Sequence, residues 1–161
     1  MVSNIFNGSR IFNNVKITLY RDNVPYKVVD CHNTAKIGLC KYLRDALYGK
    51  NINAKRPGII TPCGVDASLE LVDIGAGSPV INDKVIATED GDEAALITMT
   101  FLIPNQILTS GTEIYGFRLY SKDISKTLYA EVKLSDLGLG PIVAGGDSNM
   151  KVEWTLAVSY I

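Results

Sequence analysis

Along Lys151–Ile161 (KVEWTLAVSYI), Val152, Trp154, Leu156, Val158 and Tyr160 fall on one side of an extended chain. Lys151, Glu153, Thr155, Ala157 and Ser159 fall on the other. Period-two alternation built from β-branched and aromatic residues marks a strand with one buried face. The single Trp of the protein lies on the apolar side, so Trp154 is the predicted core anchor. A strand placed this late must find its partners far upstream, across the Gly-rich stretch 136–149.

The same alternation recurs upstream. Val15–Tyr20 (VKITLY) and Val24–Val29 flank the turn signal Arg21-Asp22-Asn23 and predict a hairpin. Leu69–Ile74 (LELVDI) alternates as far as Gly75-Ala76-Gly77-Ser78-Pro79. A weaker strand over Val80–Thr88 leads into Glu89-Asp90-Gly91-Asp92, where Asp-Gly supplies the positive φ of a tight hairpin. Ala94–Ile103 (AALITMTFLI) is the return strand, ended by Pro104. Glu113–Tyr120 (EIYGFRLY) and Leu128–Leu134 (LYAEVKL) complete the set. Residues 49–68 carry Gly49, Pro57, Gly58, Pro62 and Gly64 and read as loop, with a short extended piece at Ile59–Thr61.

The period changes once. From an N-cap at Asn33 or Thr34, the residues Ala35, Leu39, Tyr42, Leu43 and Ala46 make one face at helical spacing, widened by Cys40 and Leu47. Gly49 follows as a left-handed C-cap, which predicts an amphipathic helix over about 34–48. Seven or eight strands and one helix, with no strand–helix–strand alternation, predict a mainly-β fold, an antiparallel β-sandwich. With 161 residues the chain is read as a single domain over 15–161, preceded by an arm over 1–14.

The arm holds an internal echo, Ile5-Phe6-Asn7 and Ile11-Phe12-Asn13, in an otherwise polar segment. Ile5, Phe6, Ile11 and Phe12 need apolar cover. They tuck onto the chain's own core or dock on a neighbouring subunit by strand addition or pocket filling.

Charge removes some classes of function. Sixteen basic and 17 acidic residues give a net charge of −1, so there is no basic field to hold nucleic acid. No apolar run approaches the roughly 18 residues of a membrane span. The N-terminus lacks the basic start and apolar block of a secretory signal. Three scattered Cys (Cys31, Cys40 and Cys63) argue for reduced, partly buried thiols in a protein made in the cytoplasm.

Candidate chemistry is thin. Cys31-His32 with Cys40 and Cys63 lacks the two close ligand pairs of a zinc site, and one His is a narrow basis for a Cys–His nucleophile. Asp90, Asp92 and Glu93 cluster about a Gly without the spacing of a calcium loop. Gly75-Ala76-Gly77 and Gly138-Leu139-Gly140 do not open helices as phosphate-binding loops do. No cofactor is expected. Tyr115, Phe117, Tyr120, Tyr129, Trp154 and Tyr160 are read first as core and cross-strand residues, and second as a surface for stacking sugars.

The order of several segments resembles a known group. The helix NTAKIGLCKYLRDALYG is followed by a strand near the turn Ile74-Gly75-Ala76-Gly77, then Gly111–Tyr120 (GTEIYGFRLY), Leu128–Val132 (LYAEV) and Ser148–Leu156 (SNMKVEWTL). This succession, over roughly 30–161, is similar to that of small tailed-bacteriophage virion proteins of the tail-fibre-like, head-fibre or decoration type. The resemblance implies a non-enzymatic structural protein of the virion, which decorates the capsid or attaches a head or tail fibre. Its partners would be other virion proteins and further copies of itself, a trimer being the common arrangement of fibre parts. A second expectation is a carbohydrate-binding sandwich, with exposed Tyr115 or Tyr129 as the platform.

Overall fold

Two stretches of thirteen residues, Ser9–Arg21 (β1) and Ser148–Tyr160 (β13), lie side by side from end to end in the computed structural model of the chain. Ser9 is opposite Tyr160 and Arg21 opposite Ser148. The structure describes residues 9–32, 34–50, 53–74, 81–82, 85–90, 94–104, 108–144 and 148–160. Among them the chain forms β2 (Val24–His32), β3 (Thr34–Ala35), α1 (Ile37–Leu47), β4 (Pro57–Val65), β5 (Leu71–Asp73), β6 (Ile81–Asn82) and β7 (Val85–Asp90). It continues with β8 (Ala94–Ile103), β9 (Glu113–Ile114), β10 (Gly116–Ser121), β11 (Leu128–Lys133) and β12 (Ile142–Val143) before β13.

All pairings among the described strands are antiparallel. The first sheet has the order β2-β1-β13-β8-β7, and the second β3-β11-β10-β4-β5, with β6 also on β4. Among the described residues the fold is mainly β with one α-helix, as the periodicity predicts. Eight of the thirteen described strands have six residues or more; of the short ones, β5, β6 and β9 fall within predicted strands, while the two-residue β3 and β12 do not. The inner faces of the two sheets share one buried cluster. Val15, Ile17, Met99, Phe101, Val152 and Trp154 come from the first sheet, and Ile60, Phe117, Leu119, Ala130 and Val132 from the second. Trp154 is 0% exposed, while its neighbours Glu153 and Thr155 are half-buried on the other side of β13.

The predicted hairpin of Val15–Val29 is β1–β2. Asp22 and Asn23 turn it with φ of 49° and 60°, the two positive values that a twisted two-residue loop requires. The arm boundary drawn at residue 14 falls inside a strand, because β1 starts at Ser9. Residues 1–8 lie outside the described residues.

The helix starts later than its sequence signal. Thr34 and Ala35 are drawn into the second sheet opposite Glu131 and Ala130, and the Lys36 N–H donates to Tyr129 O at 2.8 Å. Ladder bonds outcompete the capping role, and Lys36 becomes the N-cap without a side-chain bond. At the far end Gly49 (φ +67°) donates to Ala46 O and Lys50 to Asp45 O, the double bond of a left-handed helix stop. Leu39 is buried, but Leu47, assigned to the apolar face, is 72% exposed.

The larger correction is β4. Its prolines and glycines read as loop, yet it is a nine-residue strand inside the second sheet, between β10 and β5. Pro62 is tolerated because of where its missing donor falls. Its carbonyl accepts from Ile74 N at the end of β5, and β6 pairs only with Ile59 and Ile60, so the Pro nitrogen faces the gap between two short strands. Gly116 is forced by proximity, since a Cβ there would lie 2.2 Å from Val132 O.

Candidate functional site

The polar residues of the second sheet converge on its outer face, around Arg118. In register, Arg118 of β10 lies between Thr61 of β4 and Glu131 of β11. Its Nη2 donates to Leu71 O at 2.7 Å and its Nε to Glu131 Oε2 at 3.3 Å, while Nη1 lies 3.6 Å from Asp73 Oδ1. Tyr120 OH donates to Asp73 Oδ2 at 3.0 Å. Lys36 Nζ, delivered by the approach to α1, stands 3.0 Å from Glu131 Oε1. Cys63 Sγ donates weakly to Asp73 Oδ1 and to Thr61 O.

Charge and burial set the protonation states. Burial alone would raise the Glu131 carboxyl, but hydrogen bonds and charge from Lys36 and Arg118 outweigh it and hold the group below the ordinary range. Burial, reinforced by the Asp73 carboxylate, pushes the Cys63 thiol up to about 12. The same two causes push the Tyr120 hydroxyl up to about 12. A protonated thiol is a poor nucleophile. The guanidinium spends donors on Glu131, Leu71 O and Asp73, all from its own chain. This arrangement ties β5 to β10 and β11 as a clamp. Thr61 Oγ1, buried beneath it, has no hydrogen-bond partner.

Helix α1 covers the neighbouring part of the same face. Gly38 sits against Leu128 O and the Thr127 methyl, and the Tyr42 and Tyr129 rings lie 5.5 Å apart. The Tyr129 hydroxyl donates to Lys55 O.

The residues singled out from sequence are dispersed. Cys31 is buried between the sheets, Cys63 is buried on the outer side of the second sheet, and Cys40 is half-buried on the helix. Among the described residues no three His, Cys, Asp or Glu side chains group as metal ligands do. Of the carboxylate group only Asp90 is described, at the end of β7, while Asp92 and Glu93 are not. Tyr129, offered as an exposed platform, is 2% exposed, because α1 and the 53–55 turn close over it. Phe117, Tyr120 and Trp154 are buried as well. Tyr115 is half-buried and donates to Glu113 Oε2 at 2.8 Å. No helix among the described residues is long and apolar enough to cross a membrane.

The first sheet has a different exterior. Its outer face shows Lys16, Lys151, Glu153, Thr155, Thr98 and Thr100, joined by a Thr98–Thr155 hydrogen bond of 2.9 Å and a Lys151–Glu153 ion pair of 2.9 Å. At the turn end, Tyr20, Asn23, Leu102, Pro104, Met150 and Lys151 line an open cleft of about 370 Å³. The edge strand β2 exposes Val24, Tyr26 and Val28. Ile5 and Phe6 lie outside the described residues, and the backbones of Ile11 and Phe12 pair with Val158 and Ala157. Sequence reasoning passed over both the Arg118 clamp and the apolar edge. The clamp is assembled from four separate segments. The edge was legible as Val24, Tyr26 and Val28 at every second position, but which strand is outermost depends on topology.

Compared with protein-family models, with curated proteins and with solved structures, the chain finds no match in any of the three.

Proposed function

We propose that this chain is a non-enzymatic building block of a tailed-bacteriophage particle, decorating the capsid or attaching a head or tail fibre and acting through self-association. The observation that carries the assembly role is the unfinished border of the first sheet. Among the described residues β2 is an edge strand, with Val24 63% and Val28 51% exposed, and no described strand lies beside the adjoining end of β1 on its β2 side. Long apolar edges of this kind are templates for main-chain pairing with another chain. The resemblance of the segment order to that of phage virion proteins supplies the setting. The Arg118 cluster fits the same reading, because its polar groups satisfy one another and serve rigidity.

The test is the distribution of the protein between particles and supernatant in a lysate of the virus that makes it. Density-gradient particles should contain the chain at fixed stoichiometry. Its confinement to the soluble fraction would contradict the proposal.

A further inference from the structure

Charge is unevenly placed around the second sheet. Six of the 16 basic residues but only one of the 17 acidic residues lie in 36–56, so this stretch carries +5 in a chain of net −1. Helix α1 turns much of it outward. Ile37, Lys41, Arg44 and Tyr48 recur at i, i+4, i+7 and i+11 and form one exposed stripe, with Leu47 exposed beside it. Leu39 is the only side chain that the helix buries. Leu47 and Tyr48, 72% and 78% exposed, therefore stand among cations. The β10–β11 turn lies against the same end of the sheet, where the Lys122 N–H donates to Arg56 O at 2.9 Å. Asp45 and Asp123 are the acidic residues of this end.

The opposite chemistry stands at the other end of the same strands. Between β4 and β5 the chain turns through Asp66–Glu70. Asp66 Oδ1 accepts from the Ser68 and Glu70 N–H groups at 2.8 and 3.0 Å, and the Leu69 N–H donates to Asp66 O. The turn presents Leu69, 65% exposed, next to the Glu70 carboxylate, and Val72 is exposed just beyond. Lys133 lies 3.8 Å from Glu70, but Glu70 is the outer partner, its side chain 71% exposed against 19%.

The two surfaces cannot meet in one molecule. The turn leaves β4 at Val65, while Arg56 precedes β4 at Pro57, and nine residues of strand span roughly 26 Å. Across the sheet, α1 packs at the β3–β11 border and β5 forms the opposite one. A basic, apolar stripe at one corner and an acidic, apolar turn at the other are complementary between copies, in the manner of a head-to-tail contact.

We infer that the outward stripe of α1 is the docking site for the 66–70 turn of a second copy of this chain. The inference rests on the assembly role proposed above and names a surface and its partner. Leu69 seats against Ile37, Leu47 and Tyr48, and the Glu70 carboxylate lies among Lys41, Arg44 and Lys50. One helix stripe on one turn is a small interface. It joins copies that a particle already holds side by side, where the effective concentration is high, and does not hold free chains together in dilute solution. The contact uses side chains alone, so the strand pairing of the second sheet stays closed.

The test uses full-length chains, half of them isotopically labelled, treated with a carbodiimide that joins touching carboxylates and amines. The reaction is run on concentrated protein at low salt and on particles. Mass spectrometry should find peptides of mixed label that join Asp66 or Glu70 to Lys41 or Lys50, and high salt should abolish them. Their absence, or mixed peptides that leave out the helix or the turn, would overturn the inference. Two charge variants add a rescue. Lys41→Glu with Lys50→Glu should lose the helix–turn bonds, and so should Glu70→Lys. An equal mixture of the two variants should regain them, with carboxylate and amine exchanged between helix and turn. A mixture that stays unlinked would also overturn the contact. If the chain is present in particles without helix–turn bonds, the contact is wrong and the assembly role stands. If it is absent from particles and unlinked in concentrated solution, both are wrong.

Discussion

The two sheets are finished to different degrees. The second is closed by its own chain: α1 lies on its outer face, Arg118 laces β10 to β5 and β11, and the short β3, β5 and β6 form its borders. Among the described residues the first has the longest strands, a half-buried outer face rich in Thr, and an apolar edge strand in β2. A polar network that is satisfied internally gives rigidity and leaves little for a ligand. An edge left unsatisfied gives little to the monomer and much to an assembly. The contrast separates the part of the molecule that holds the fold from the part available to a partner.

What the sheets share bears the largest effect. Trp154 fills the space between them, and Trp154→Ala should cost about 3–5 kcal/mol in urea unfolding, enough to unfold a marginal domain. A loss below about 1 kcal/mol would mean that the two inner faces do not form one core.

The next effect divides the exteriors. Arg118→Ala takes the guanidinium from Asp73 and leaves Glu131 with Lys36 alone on the second sheet, and should cost about 2 kcal/mol. Glu153→Ala breaks the Lys151 pair on the first sheet and should cost about 0.5 kcal/mol or less. Equal losses in parallel denaturant titrations would erase the distinction between the faces. Thr61→Val removes the orphaned hydroxyl at nearly constant shape and should stabilise the protein by about 1 kcal/mol, seen as a higher thermal midpoint.

The smallest effect is in pH dependence. Cys63 and Tyr120 are held protonated up to about 12 in the folded state. Their folded values lie above the unfolded ones, so their contribution is complete below the ordinary thiol range and is lost as pH rises towards about 12. Glu131 acts in the opposite sense. Its folded value is depressed, so its contribution is present above the ordinary Glu range and is lost as pH falls through the lowered value. Cys63→Ala should flatten the alkaline fall of the thermal midpoint, and Glu131→Gln the acid one.

The sequence carried most of the long strands well, because along β1, β8 and β13 buried positions alternate with more exposed ones. β8 begins at Ala94 and ends at Ile103, the limits its apolar run and Pro104 set. β4 was hidden because Pro62 and Gly64 lose their usual meaning when the missing donor faces a gap between β5 and β6. The late start of α1 was hidden for a related reason: pairing with β11, distant in sequence, decides the state of Thr34 and Ala35. The clamp could not be read either, since Arg118 meets Asp73 and Glu131 only after three strands have aligned. The exposed positions of β2 were visible as residues but not as an edge.

The most direct measurement is the molar mass of the full chain beside that of a chain starting at Ser9, by light scattering, with thermal midpoints recorded for both. The full chain should self-associate and the shortened chain stay monomeric, with midpoints that agree once extrapolated to low protein concentration. A full chain that remains monomeric at concentrations where the shortened one behaves identically would contradict the division of the molecule into a closed sheet and an open one.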